Sequence, residues 1–536
     1  MALVQQVYSR PSVSNQITPS LPSLHFTTTD GVHYVRRLHG RERLSAAQMQ
    51  HCAGYGQIIA IGDLELKASL TKEEFEPYAR SAWMSLRHKT PWTALRTAPL
   101  ECGEPNAYTF TYEKPTSGDL SLVKKWADET IFWRTESVNF AEGQQVLKET
   151  YWKPADGRYG LELHLVKNRE HDRWIIMISG PHWLTDGRGM FPVIDQYYRC
   201  LQAALDGSAP TWSALPWGEE VTRLPPSAIE IIPNTGDVVA KPPPPSTLFT
   251  RPAVERIPGR PESIDARVAL SKEQTKAFNF ACKRHRVTAT VAINSILILA
   301  ELESLLRLAK EKSPEQYAQL VSQYESAEGF PLLGNIVALR EFLSPYWASL
   351  TGNTGTAGIV NLGFPTYHDM AAVRKCMQLG PDGTFIKNLG PQTFWKGLCA
   401  NTQKLLKEGA KATPHMYHVS ANMGEDTART ILQAVIGPAG VVPSSLGNLE
   451  RLDWFTPFRP SVAWQTPNTA FAVHDWHFGV RVADTPSYVV HSWDYDGELT
   501  INIQGASNYH TEKSWNTFAS VLRDTIEQLL SVKAVL

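Results

Sequence analysis

The stretch that most constrains this chain is Trp174-Ile175-Ile176-Met177-Ile178-Ser179, followed by Gly180-Pro181 and then His182-Trp183-Leu184-Thr185-Asp186-Gly187. The first run is apolar and rich in isoleucine, which predicts a buried strand. Gly180-Pro181 ends it, and helical periodicity follows over 189–205, with Pro192 tolerable in the first turn. A turn this short between two rigid elements projects its side chains into a cleft. His182 stands there, and an imidazole near its ordinary pKa takes a proton from an alcohol or amine close to neutral pH. Asp186, four residues on, faces back across the turn and is placed to fix it by an ion pair. Gly187 gives the backbone freedom to bend sharply. A purely structural histidine would fit the same spacing, so the chemistry rests on context.

At 536 residues the chain is long enough for two lobes, since single cores rarely grow beyond about 250–300 residues. Its 43% hydrophobic and 20% charged residues are ordinary for a globular protein. The net charge of −1, with no long basic or acidic run, makes nucleic acid and anionic membrane surfaces poor partners. Cys52, Cys102, Cys200, Cys282, Cys376 and Cys399 are scattered with no C-x-x-C pair, which predicts reduced, mostly buried thiols rather than a disulfide frame or zinc site. Met1-Ala2-Leu3-Val4-Gln5-Gln6 lacks the basic start and apolar core of a signal peptide. The apolar run over 287–300 reads as too short and too polar for a bilayer span of about 20 residues. The expectation is a cytoplasmic protein without a membrane span.

Residues 1–30, rich in Ser, Thr and Pro, are expected to form a flexible arm. A first lobe is expected over 31–217. Within it, Thr71-x-x-Glu74 reads as a capping box with Phe75, Ala79, Ala82 and Leu86 at helical spacing behind it, and strand candidates lie at 107–112, 160–166 and 174–179. Residues 218–264, which include Pro242-Pro243-Pro244-Pro245, read as a semi-rigid crossover. A second lobe is expected over 265–536, opening with helices capped by Ser271 and Thr288. Strands and helices mixed through both halves indicate an α/β layout.

His182-x-x-x-Asp186-Gly187 resembles the active-site motif of the CoA-dependent acyltransferase superfamily, which includes chloramphenicol acetyltransferase, alcohol acetyltransferases and the condensation domains of peptide synthetases. Other stretches follow in the order that family requires. Val287-Thr288-Ala289-Thr290-Val291-Ala292-Ile293-Asn294 resembles the helix opening the second lobe, and Val360-Asn361-Leu362-Gly363-Phe364-Pro365 resembles the central strand after it. Pro443-Ser444-Ser445-Leu446-Gly447-Asn448 resembles the S-N-x-G segment near the acyl donor, and Gly497 to Ile503 with a helix over 512–532 resembles the closing strand and helix. Trp217-Gly218-Glu219-Glu220 and Arg223-Leu224-Pro225-Pro226-Ser227 are similar to the fungal branch that contains the trichothecene 15-O-acetyltransferase. The chain departs from the pattern at three places. Pro181 stands where condensation domains carry a second histidine, no D-F-G-W-G segment is present, and Ser445 occupies the usual asparagine position. The first favours a stand-alone transferase, the second argues against the plant BAHD branch, and the third weakens a donor-binding role for that loop.

The resemblance implies two chloramphenicol acetyltransferase-like lobes, each a mixed sheet with flanking helices, and a channel between them onto which His182 opens. It implies O-acetyl transfer from acetyl-CoA, a co-substrate rather than a bound cofactor, to a hydroxyl of a hydrophobic secondary metabolite such as a terpenoid or polyketide. His182 would be the base, Asp186 its support, Gly187 the turn, and Ser444, Ser445 and Asn448 donor-side residues. Arg188, Arg267 and Arg374 stay open as partners of Asp186. A monomer is expected, with no metal, since His415 and His418 have ligand-like spacing but no third ligand. Two alternatives stay open: the same fold with a carrier-bound donor, N-acylation, condensation or cyclisation, and a non-catalytic binding protein. The aromatic residues over 454–464, with Phe478 and Trp493, are the expected pocket lining.

Overall fold

The computed structural model describes residues 22–116, 118–208, 210–234, 244–343, 358–381, 383–411, 413–430 and 439–531. Most of the expected N-terminal arm, Pro242, Pro243 and the end of the expected last helix lie outside them. Two mixed sheets, each with its own core, organise the α/β fold. The first has five strands in the order Phe471–Val480, Ile58–Leu66, Trp174–Gly180, Glu162–Lys167 and Ile131–Trp133, antiparallel except for the last pair. The second has four, Gly440–Asn448, Ser487–Tyr495, Glu498–Ala506 and Ser263–Ala269, parallel at the first pair and antiparallel thereafter.

Each local signal acts as its chemistry requires. Thr71 accepts from the Glu74 amide while Glu74 returns the bond, and the Lys72–Lys89 helix buries Phe75, Ala79, Ala82 and Leu86. Ser271 and Gln274 make the same reciprocal pair ahead of Lys272–Arg284. Thr288 caps Ala289–Lys312 through the Val291 amide. That 24-residue helix is longer than the apolar run foretold. By length and composition it could cross a membrane, but its most apolar window is 83% buried, packed in the second core. All six cysteines are free, and only Cys102 is not buried.

Two arrangements differ from the expected ones. Asn361–Asp369 pairs only with Gly329–Ala338, in a separate antiparallel ribbon among the described residues, rather than running through a central sheet. Phe471–Val480, far along the chain, joins the first sheet against Ile58–Leu66, so this strand of the second half completes the sheet whose central strand, Trp174–Gly180, leads into His182. Between 218 and 262 the described residues form only single helical turns, Glu220–Arg223 and Ala228–Ile231, and an isolated bridge from Leu248 to Gly329.

Candidate active site

Strand Trp174–Gly180 is buried at every position, and the chain leaves it at Pro181 for one tight turn before helix Gly187–Leu205 begins. Asp186 is the cap of that helix, with extended backbone, and its Oδ1 accepts from the Gly189 amide at 2.9 Å. The same carboxylate takes two more bonds from the second half of the chain. Arg340 Nη1 donates to Oδ1 at 2.6 Å and the Val360 amide donates to Oδ2 at 2.8 Å. Beside this, the Gly358 amide donates to the Leu184 carbonyl, and the Tyr417 hydroxyl holds the Ile359 carbonyl at 2.7 Å. The turn is thus clamped between the halves by a buried ion pair and a strap of backbone.

The partner of Asp186 is Arg340, and none of the three arginines considered from the sequence. Arg188 lies over the Trp454 ring, Arg267 is bidentate to Asp475 at 2.7 Å, and Arg374 donates to the carbonyls of Tyr324 and Ala327. Spacing could not reveal Arg340, which is 154 residues away in the chain. Burial pushes the Asp186 carboxyl up, but the Arg340 charge, His182 and the Gly189 amide outweigh it and hold it below the usual carboxylate range. Gly187 serves a purpose other than the sharp bend expected of it. It is the first helical residue, not at positive φ, and a Cβ there would stand 3.0 Å from the Phe478 ring and 3.2 Å from Leu446. Gly189 is equally cramped, with Thr185 Oγ1 and an Arg340 nitrogen within 2.5 Å of an added Cβ. Pro192 sits inside the helix rather than in its first turn.

His182 opens onto a cavity of about 900 Å³. Burial lowers its pKa, the Asp186 charge and the histidine's own backbone oppose that, and Arg41 lowers it further; the net shift is downward. The imidazole is therefore neutral near pH 7, the state a base requires. Gly56, at φ +90°, passes so close that an added Cβ would lie 3.2 Å from that of His182. No sequence pattern pointed to Gly56; its only trace was Gly54-Tyr55-Gly56 ahead of a strand.

The structure brings Ser444 and Ser445 to the same cavity, while Asn448 is not in its lining and instead accepts from the Arg451 amide at 2.7 Å. Ser445 shares a 2.9 Å hydroxyl contact with Thr290. Both residues also border a second cavity of about 270 Å³, walled by Asn294, Asn335, Gln403 and Lys407. Among the aromatics expected to line the pocket, Trp454 and Phe478 do, whereas Trp493 is buried in the first core and Trp464 is 40% exposed. His491, which the sequence did not single out, lines the cavity beside Ser444 in register, with its ring 5.0 Å from Phe478 and its buried Nδ1 without a partner. His415 and His418 meet Asn234 Oδ1 and the Ile232 carbonyl. Among the described residues no group of three His, Cys, Asp or Glu is placed to hold a metal ion.

No family model matches the chain. Over 259 residues it is 26% identical to acetyltransferase pigO of Monascus ruber, a match covering 45% of this chain and 49% of that one. The chain thus spans about half the length of this curated relative. Its fold is similar to that of the trichothecene 15-O-acetyltransferase from Fusarium sporotrichioides, with a TM-score of 0.68, 13% identity and coverage of 95% of this chain and 99% of the other. It is also similar to the first condensation domain of the CDA synthetase, with a TM-score of 0.56, 12% identity and coverage of 92% and 96%. The chain thus shares the α/β fold of these two structures.

Proposed function

We propose that the protein is an acyltransferase that moves an acetyl group from acetyl-CoA to a hydroxyl of an apolar small molecule, with His182 as the base. The observation that carries this reading is a histidine at the wall of a cavity between two cores, in a turn pinned by the buried Asp186–Arg340 pair, where burial favours the neutral ring. The likeness to named acetyltransferases in sequence and fold supports it. On this reading residues 31–217 form the first lobe, 218–264 the crossover and 265–536 the second lobe, with strand Phe471–Val480 lent to the first sheet.

His182 removes the acceptor's hydroxyl proton as that oxygen bonds to the thioester carbonyl carbon. The C–S bond then breaks and the proton passes from His182 to the departing sulfur, so no covalent enzyme intermediate is needed. A placed base contributes about 10²–10⁴-fold. The rest comes from holding the two substrates together and from donors at the developing oxyanion. Ser444 is the candidate donor, since Ser445 already faces Thr290. The smaller cavity behind Thr290 and Ser445 is the candidate path for the acyl donor. Asp186 positions rather than relays, because all its strong bonds go to Arg340, Gly189 and Val360.

The test incubates the protein with deuterated acetyl-CoA and pooled terpenoid and polyketide alcohols, followed by mass spectrometry. A labelled ester formed by the wild type and absent with His182→Gln is the expected result. A labelled amide instead of an ester would correct the acceptor class. No labelled product from any alcohol, in a protein that binds acetyl-CoA, would count against the reading.

A further inference from the structure

Among the described residues, two cations in the cavity wall have no ion-pair partner: Arg188, which lies over the Trp454 ring, and Arg41, which has no such ring contact. Arg41, the first residue of helix Arg41–His51, is half-buried and lines the cavity that holds His182. Its guanidinium makes only long contacts to neutral groups, 3.4 Å to Ser420 Oγ and 3.5 Å to Asn361 Oδ1, and its buried Nε has no partner. The carboxylates nearby are taken. Glu42 is bidentate to Arg36, Glu425 pairs with Arg43, and Asp186 pairs with Arg340. A desolvated guanidinium left among amides and hydroxyls is a costly arrangement unless something brings it an anion. Its planar fork suits a carboxylate, which it can hold by two parallel hydrogen bonds.

The guanidinium also stands close to the proposed chemistry. Asn361 follows Val360, whose amide binds Asp186, and Tyr55, beside Arg41 in the lining, precedes the glycine that touches His182. Ser45 and Gln48, four and seven residues along the same helix, face the cavity too, so the patch around Arg41 is polar. Burial lowers the Arg41 pKa, and the Asp186 charge opposes this in part.

We propose that Arg41 binds an acid group on the acceptor, which is therefore a hydroxy acid, its carboxylate on the guanidinium and its hydroxyl at His182. This assignment rests on the transferase reading. The rival source of an anion is a phosphate of the acyl donor. With its thioester at His182, a fully extended CoA or carrier pantetheine arm puts its nearest phosphate roughly 15 Å away. The comparison of acetyl-CoA with acetyl-pantetheine separates the two sources.

Calorimetry in the His182→Ala protein separates binding from transfer. The probes are 3-hydroxybenzoic, 3-(4-hydroxyphenyl)propanoic and 3-hydroxydecanoic acids with their methyl esters, and acetyl-CoA with acetyl-pantetheine. We expect at least one acid to bind tenfold or more tighter than its ester. Arg41→Met abolishes that preference, Arg41→Lys restores part of it, and neither changes the acetyl-CoA to acetyl-pantetheine ratio. Acids that bind no better than esters, including no binding at all, overturn the proposal. So does a preference that survives Arg41→Met, and so does a loss confined to acetyl-CoA, which would assign the arginine to a donor phosphate. Failure of the transferase reading is seen separately, as a lack of acetyl transfer by the wild type, whatever the acids do.

Discussion

Asp186 caps a helix, closes an ion pair and receives a backbone amide from the other half of the molecule, all through two oxygens. These duties separate by substitution. Asn caps a helix about as well as Asp, so Asp186→Asn keeps the Gly189 bond, removes the charge that Arg340 needs and replaces the acceptor of the Val360 amide with an NH2 donor. Leaving that guanidinium uncompensated, at 17% exposure, is expected to cost about 3 kcal/mol in urea unfolding. Asp186→Ala adds about 1 kcal/mol for the lost cap. A Asp186→Asn protein as stable as wild type would remove the pair from the account of the turn. For His182 the pH dependence has a definite sign. Its folded pKa lies below the ordinary 6.5, and the base must be neutral, so kcat/KM is expected to rise with pH and level off with an apparent pKa below 6.5. A limb still rising above pH 7.5 would show that another group sets the rate.

At the scale of elements, the strand-turn-helix unit around His182 was legible because its parts have local signals: an apolar run, a Gly-Pro stop and helical periodicity, although Asp186 as the helix cap was not foreseen. The capping boxes at Thr71 and Ser271 were legible for the same reason. What locks the unit was not. Arg340, the Gly358–Val360 strap and the neighbouring strand Phe471–Val480 reach it through tertiary packing, which leaves no periodic trace in sequence. Gly187 could be recognised as necessary, but not that its need is for space against Phe478. Gly56 is the sharper case, since its positive φ and its contact with His182 both depend on a loop whose position only the fold defines. Gly56→Ala is expected to cost about 1–2 kcal/mol of stability from backbone strain. It should also lower kcat well beyond any change in KM, because the added methyl pushes on His182. Unaltered kcat would show that the loop yields without moving the imidazole.

Across the whole molecule, the two cores and the mixed sheets follow from chain length and the alternation of strand and helix patterns. The exchange of Phe471–Val480 between sheets does not, because a strand of that composition fits either. Burial of histidines gives the assembled molecule a common response to acid. His368, His477 and His491 are pushed down to about 3 and His510 to about 4, chiefly by burial. A folded pKa below the unfolded value near 6.5 means stability that is complete above 6.5 and lost as pH falls toward the folded value. Each such histidine contributes up to about 1.4 kcal/mol per pH unit in that window. Urea midpoints are therefore expected to fall steadily from pH 6.5 to 4, with protons taken up on unfolding. A midpoint flat across that range would show that these rings are charged, or open to water, in the folded protein.

The most direct test of the central claim is acceptor-dependent thiol release from acetyl-CoA, compared between the wild type and a folded His182→Ala protein at pH 7.5. Release that needs the acceptor and falls about 10²–10⁴-fold in the variant is the expected result. Equal release in both proteins would contradict a base at His182.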